Sequence, residues 1–366
     1  MRIVSTSYVN TNSYDDPDKW LDRISFYTGL LEELAKQHHV DSIEQINYSG
    51  RLMRNLVTYH FLDFKKQKLY FPNKLHRYIR NLKPDVVFVN GFVFPLQIIQ
   101  LRKALGKAIK VIVLHRAEKP FTGLKYYLQK IADRSVDAYL FVSDEFGREW
   151  IKKGIVESKK KIHEVIQSSS SFLPENKEVS RKILDLSGDP VFLWVGRLDK
   201  NKDPVTVVKA FINFLSFRPA ARLYMIYQDN NLLTDVKDLI SADNRDGIIL
   251  VGKIEHQQLQ LWYNAADYFI SGSHYEGSGI AACEAMSCGC IPLLTNIISF
   301  RRMTGPHKCG LLYEAGNVDD LLSILSMTNE MDIEMERKKT LEQFKQELSF
   351  EAIAKKITKV INSINA

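Results

Sequence analysis

What most limits the folds open to this chain is a repeated alternation in its first half: a short β-branched or aromatic run, then a segment of helical periodicity. IVSTSY is followed by a helix expected from about Trp20 to His39, and DVVFVN by PLQIIQLRKALG. KVIVLH precedes a helix from about Phe121 to Asp133, and AYLFVS a helix from Asp144 to about Lys153. Strands separated by helices run parallel, because the helix carries the chain back across the sheet before the next strand begins. The runs are apolar throughout instead of alternating, which fits strands covered on both faces. Residues 1–180 are therefore expected to form a Rossmann-like domain with a parallel sheet.

After the strand KIHEVIQ comes SSSSFLPENKEVSRKILDLSGDP, polar and punctuated by serines, Pro174 and Gly188, which reads as a linker. A second series then begins with VFLWVG, a helix from Pro204 to about Phe217, ARLYMIY, a helix around Leu232 to Ile240, and IILVG. It continues with a helix from Gln257 to Ala266, YFIS, a helix containing Glu284, IPLLT and CGLLY. Residues 181–348 are expected to be a second parallel α/β domain. Helical sequence runs on from Val318, and FEAIAKKITKVINSI makes an amphipathic last helix, about 349–366. Two such domains facing each other would leave a cleft between the carboxyl ends of two sheets, where open α/β sheets bind their ligands.

Composition narrows the class. With 45% hydrophobic and 25% charged residues, the chain is neither disordered, collagen-like nor coiled-coil. MRIVSTSYVN lacks the basic and apolar regions of a signal peptide, so a cytoplasmic protein is expected. The most apolar stretch, DVVFVNGFVFPLQIIQL, is interrupted by Asn90, Gly91 and Pro95 and is too short to span a bilayer. Cys283, Cys288, Cys290 and Cys309 lack the paired spacing of a zinc site and read as packed free thiols. Charge is uneven: residues 1–180 hold 29 Lys and Arg against 20 Asp and Glu, a balance of +9, and the remainder 21 against 23, a balance of −2. Residues 51–83 mix aromatics with Lys and Arg. They suit either a core with a solvated basic face, the default, or a peripheral contact with the inner face of a membrane. No nucleic-acid partner is expected.

The chemistry concentrates in HYEGSGIAACEAMSCGC, residues 274–290. If Gly277, Ser278 and Gly279 turn the chain from a strand into a helix, their N–H groups form an anion site at the helix mouth. Glycine suits it because a Cβ would block a phosphate. Glu284, seven residues past Gly277, falls near the same helix face about 10 Å along. Glu276 lies just outside. The spacing measures a nucleotide sugar: ribose, diphosphate, transferred sugar. Each acid taken singly has a simpler reading, Glu276 as a helix-capping acid and Glu284 as an exposed helix residue.

EGSGIAACEAMSCG resembles the signature of retaining family 4 glycosyltransferases of the GT-B fold. VGRLDKNKDP, residues 195–204, is similar to that family's strand-ending Gly-Arg with Lys five residues later, and GKIEHQQLQLWYNAADYFISGS, residues 252–273, to the segment leading into the acid motif. The resemblance implies a fold of two facing Rossmann-like domains, with the last helix, about 349–366, packing back toward the first, and an enzyme moving a sugar from a nucleotide-diphosphate donor to a hydroxyl acceptor, glycan or lipid-linked. It implies donor contacts from Arg197, Lys202, Lys253, Gly277, Ser278, Gly279, Ile280 and Glu284. Arg197 and Lys202 would hold the diphosphate, Glu284 the ribose diol, and Lys253 would border the base. Glu276 would touch the transferred sugar, as would His115, at the end of VIVLH.

The family's glycine-rich loop after the first strand is replaced here by TSYVNTNSYDDPDKW, in which Asn10, Thr11 and Asn12 could supply side-chain hydrogen bonds instead. Asp15, Asp16 and Asp18 read as helix-start acids, and no metal or other cofactor is expected. A noncatalytic nucleotide-sugar or anionic-polymer binder on the same fold remains the alternative.

Overall fold

The computed structural model describes residues 1–9, 11–63, 70–305 and 308–365. The chain divides into two units, one of Met1–Ser169 with the segment from Phe350 onward, the other Ser170–Ser349.

The first unit is built on β1 (Arg2–Thr6), β2 (His39–Glu44), β3 (Gly50–Arg54), β4 (Val57–Phe61), β5 (Val86–Asn90), β6 (Lys110–Leu114), β7 (Ala138–Phe141) and β8 (Ile162–Glu164). Their order in the sheet is β3-β4-β2-β1-β5-β6-β7-β8, parallel except for β3 against β4. The central strands are covered on both faces, as their apolar runs require: Val86 to Val89 and Val111 to Leu114 have no exposed surface. The β3–β4 hairpin was not anticipated. It turns through Asn55 and Leu56, both with positive φ (49° and 69°), the backbone that a two-residue hairpin turn demands. Within residues 51–83, Tyr59, Phe61, Leu75 and Ile79 are buried, while Arg51 and also the apolar Met53, Leu56, Tyr70 and Phe71 are exposed; residues 64–69 lie outside the described part.

The helix expected from Trp20 to His39 is two helices, Pro17–Arg23 and Ser25–Ala35, separated where Ile24 leaves helical geometry (φ −101°, ψ 19°). The first starts earlier than expected because the Asp16 carboxylate accepts from the N–H groups of Asp18 and Lys19 and Pro17 takes the first turn. The acid cluster before Trp20 is thus a helix start.

The second unit holds β9 (Val191–Gly196), β10 (Arg222–Tyr227), β11 (Ile248–Gly252), β12 (Tyr268–Ser271), β13 (Ile291–Thr295) and β14 (Leu311–Tyr313). All pair in parallel, in the order β11-β10-β9-β12-β13-β14. Phe192 stacks on Tyr268 with ring centroids 5.0 Å apart, beneath Phe211 and Phe214 of the Pro204–Leu215 helix. The stretch read as a linker contains a helix, Lys177–Leu184, capped by the Asn176 side chain. That helix belongs to the second unit, where Lys177 and Arg181 both pair with buried Asp267, at 2.9 and 2.5 Å.

The helical sequence from Val318 is broken into Val318–Met327, Ile333–Gln343 and Phe350–Asn365. The last of these lies in the first unit, against the Ser25–Ala35 helix, with Ile353, Ile357 and Ile361 fully buried. The Phe350 ring fills the space where a Cβ on Gly29 would stand. All four cysteines are buried and unpaired by disulfides, and burial pushes the Cys288 and Cys309 thiols up to about 12. No helix among the described residues is long and apolar enough to cross a membrane.

Candidate functional site

In the second sheet β9 and β12 are neighbours, so the loops that leave their carboxyl ends run side by side. The loop after β9 carries Arg197 to Asp203 and the loop after β12 carries Gly272 to Gly279. They approach closely at Gly272, where a Cβ would stand 2.8 Å from the Asp203 carbonyl oxygen and 3.0 Å from that of Lys202. Only glycine lets the two backbones meet. The His274 N–H donates to the Asn201 carbonyl at 2.8 Å, and the Asn201 amide to the Tyr275 carbonyl at 3.0 Å. His274 Nε2 lies 3.1 Å from the Asp203 carboxylate.

This lacing brings Lys202 and Glu276 together. The Lys202 ammonium pairs directly with Glu276 Oε1, which also accepts from the Ser273 hydroxyl at 2.7 Å. Both side chains are mostly buried, so the pair is screened less than a surface one. Arg197, by contrast, is exposed and 3.1 Å from Asp199. Lys253, just past β11, is exposed as well.

Gly279 caps the helix Ile280–Ser287 with φ +55°, and no side chain bonds to the first turn. Those N–H groups point out of the helix with the macrodipole behind them. On the same helix Glu284 is 4% exposed, so it is not a surface helix residue. Its carboxylate is held from both sides: His256 Nε2 is 2.6 Å from Oε1, and the Tyr263 hydroxyl donates to Oε2 at 3.1 Å. Burial and the adjacent Glu284 charge push the Tyr263 phenol far up, so it stays a donor. Phe172 stands beside the His256 ring, centroids 5.2 Å apart. His256, Tyr263 and Ser273 were not singled out from the sequence. His256 and Tyr263 stand 28 and 21 residues before Glu284, and only the fold brings them to it.

In the first unit His115 follows β6 and is 1% exposed. Its ring stacks on Phe141 (centroids 4.2 Å apart) and meets the edge of Trp150 at 4.8 Å. Burial lowers its pKa to about 3, which keeps the imidazole neutral. Among the described residues neither ring nitrogen has a hydrogen-bond partner; a Glu118 carboxylate oxygen is 3.4 Å from Nδ1. The next residue, Arg116, donates to Asn90 Oδ1 at 2.6 Å and lies over the Tyr27 ring at 4.8 Å. Asn90 ends β5 and Ser5 lies in β1, so Arg116, Asn90, Tyr27 and Ser5 form a polar cluster at the carboxyl edge of the first sheet. In the loop after β1, Thr11 donates its N–H and hydroxyl to the Gln45 carbonyl, so its side chain is already engaged; Asn10 lies outside the described residues.

Residues 176–347 match the family model of glycosyl transferases group 1, and residues 26–164 that of glycosyltransferase family 4. The chain is 29% identical over 167 residues to the D-inositol 3-phosphate glycosyltransferase of Streptosporangium roseum, covering 42% of this chain and 38% of that protein. It is 25% identical over 309 residues to the O-antigen chain mannosyltransferase B of Escherichia coli, covering 79% of each. The first alignment thus takes in less than half of the relative's length. Among solved structures, a glycosyltransferase from Rickettsia africae superposes with a TM-score of 0.76 at 15% identity, over 100% of this chain and 98% of that one. With two family models between them taking in most of both α/β units, the chain belongs to family 4 of the glycosyltransferases, with the GT-B fold.

Proposed function

We propose that the chain transfers a sugar from a nucleotide-diphosphate donor to a hydroxyl acceptor with retention of configuration. The observation that carries this is the buried carboxylate of Glu284 on a helix whose mouth is lined by Gly277, Ser278, Gly279 and Ile280 beside the Lys202–Glu276 pair. A buried carboxylate is costly unless its oxygens are bonded. In this conformation His256 and Tyr263 supply those bonds. A ribose diol can replace the His256 bond, donating two hydroxyls to the same acid.

On this reading Arg197 and Lys202 hold the diphosphate and Lys253 borders the base. Lys202 then exchanges Glu276 for phosphate oxygens, which frees Glu276 for the transferred sugar. The cations and the helix N-terminus stabilise the diphosphate as it leaves, without a metal. The departing phosphate helps take the acceptor proton on the same face. His115, neutral, contacts the sugar once its ring nitrogens become accessible. The acceptor is a glycan or a lipid-linked compound, the O-antigen chain relative favouring a glycan, and the protein acts in the cytoplasm.

The test is a thermal-shift screen of nucleotide sugars, because a ligand that binds the folded state raises its stability. The stabilising donor is then used in transfer assays with excess EDTA. The expected result is EDTA-insensitive transfer, with Glu284→Ala weakening donor binding by about 1–3 kcal/mol. Loss of activity restored by magnesium or manganese would overturn the metal-free assignment. Donor binding without transfer to any acceptor would favour a noncatalytic binder.

A further inference from the structure

The two groups that hold the Glu284 carboxylate differ in how firmly they are placed. Tyr263, in the Leu259–Ala265 helix, is fully buried and donates its hydroxyl to Oε2 at 3.1 Å. The His256 side chain is 50% exposed, and its Nε2 stands 2.6 Å from Oε1. A carboxylate has no hydrogen to give, so Nε2 is the donor, in a short charge-assisted bond. Phe172 stands against this contact, its ring centroid 5.2 Å from that of His256 and 6.2 Å from that of Tyr263.

His256 reaches the acid from the loop beyond β11, in a one-turn helix, His256–Gln258. Glu255 and Gln258 cap each other's backbone across that turn. The backbone is therefore fixed without the imidazole. Rotation of the side chain alone, into the solvent that already reaches half of it, breaks the bond to Oε1. Tyr263 has no such way out. Oε2 is held by a group that stays, Oε1 by one that can leave.

Glu284, 4% exposed, needs a donor on Oε1 whenever the site is empty, because a buried carboxylate oxygen without a bond is costly. We propose, resting on the reading of Glu284 as the ribose acid, that His256 is a built-in competitor of the donor. Through one bond it stabilises the ligand-free fold and weakens donor affinity. Apparent affinity falls with the fraction of molecules in which Oε1 is open. A histidine that merely oriented Glu284 would do the reverse, since removing it would loosen the acid and weaken the donor.

Isothermal titration with uridine, guanosine and adenosine diphosphate compares wild type with His256→Ala, Glu284→Ala and the double variant, and thermal melts verify folding. The expected result is that the diphosphate bound by wild type binds His256→Ala about threefold to tenfold tighter, while the ligand-free Tm of that variant falls. In the Glu284→Ala background the same substitution leaves affinity unchanged, because the competition acts only through the acid. Unchanged or weaker binding by folded His256→Ala overturns the competitor role and leaves the donor reading standing. So does a tightening that persists without Glu284. If neither wild type nor His256→Ala binds any of the diphosphates, the donor reading fails and the competitor role with it.

Discussion

His115 is a base that the fold keeps from taking a proton. Its pKa of about 3, set by burial, lies well under the ordinary histidine value near 6.5. Below pH 6.5 the unfolded chain binds a proton at this site and the folded chain does not, so the neutral site destabilises the fold progressively as pH falls from about 6.5 toward 3, by at most about 1.4 kcal/mol per unit. Burial also lowers His76, to about 4, and it acts in the same direction. Asp41 acts in a lower window: burial pushes its pKa up, but His60 and Arg2 outweigh that and hold it at about 2, so its contribution fades only below about pH 4. His115→Phe, which keeps a ring against Phe141, should therefore flatten the decline in urea-unfolding stability between pH 7 and pH 5, compared with wild type. An equally steep decline in the variant would show that the ring is not held neutral. At this scale the acids, the two cations and His115 stood out in the sequence by motif. Their partners did not: nothing near Glu284 in the chain signals His256 or Tyr263, and Glu276 and Lys202 meet only because β9 and β12 are neighbours.

At the scale of elements, the apolar parallel strands were legible because burial on both faces leaves a continuous run. β2 was not, since HVDSIE mixes Asp, Ser and Glu with its apolar residues. The β3–β4 hairpin was hidden as well, because its turn uses Asn55 and Leu56 where a glycine would have marked it. The Lys177–Leu184 helix sat between strong loop signals that masked it. The Ile280–Ser287 helix offers a sharp test of local geometry. Gly279 combines φ +55° with a Cβ position 2.8 Å from the Phe300 ring and 3.0 Å from Met303 Sδ. Gly279→Ala must pay for a left-handed backbone and displace that ring, so it should cost about 1–3 kcal/mol. Circular-dichroism melting would read this as a lowered Tm. An unchanged Tm would mean the turn is free to rearrange, and with it the proposed anion site.

Across the whole molecule, the amphipathic pattern of the last helix was legible and the resemblance placed it with the first domain, but the Ser25–Ala35 helix it covers was not foreseen; Gly29, where it fits under Phe350, is not a periodic signal. The helix carries three fully buried isoleucines, Ile353, Ile357 and Ile361. Each is worth about 1.5–3 kcal/mol in burial. Ending the chain after Ser349 should thus strip stability from the first unit and spare the second. Differential scanning calorimetry should show one transition lost or moved sharply down while another persists. Two unaltered transitions would refute the role given to this helix. The same topology fixes an order of events during synthesis. The second unit is one unbroken stretch, whereas the first is left open until Phe350 and the residues beyond it emerge. A nascent chain on the ribosome can complete the sheet of the second unit while the Ser25–Ala35 helix still waits for its cover. For that interval the uncovered apolar groove is a site for chaperones to guard and for premature aggregation to begin.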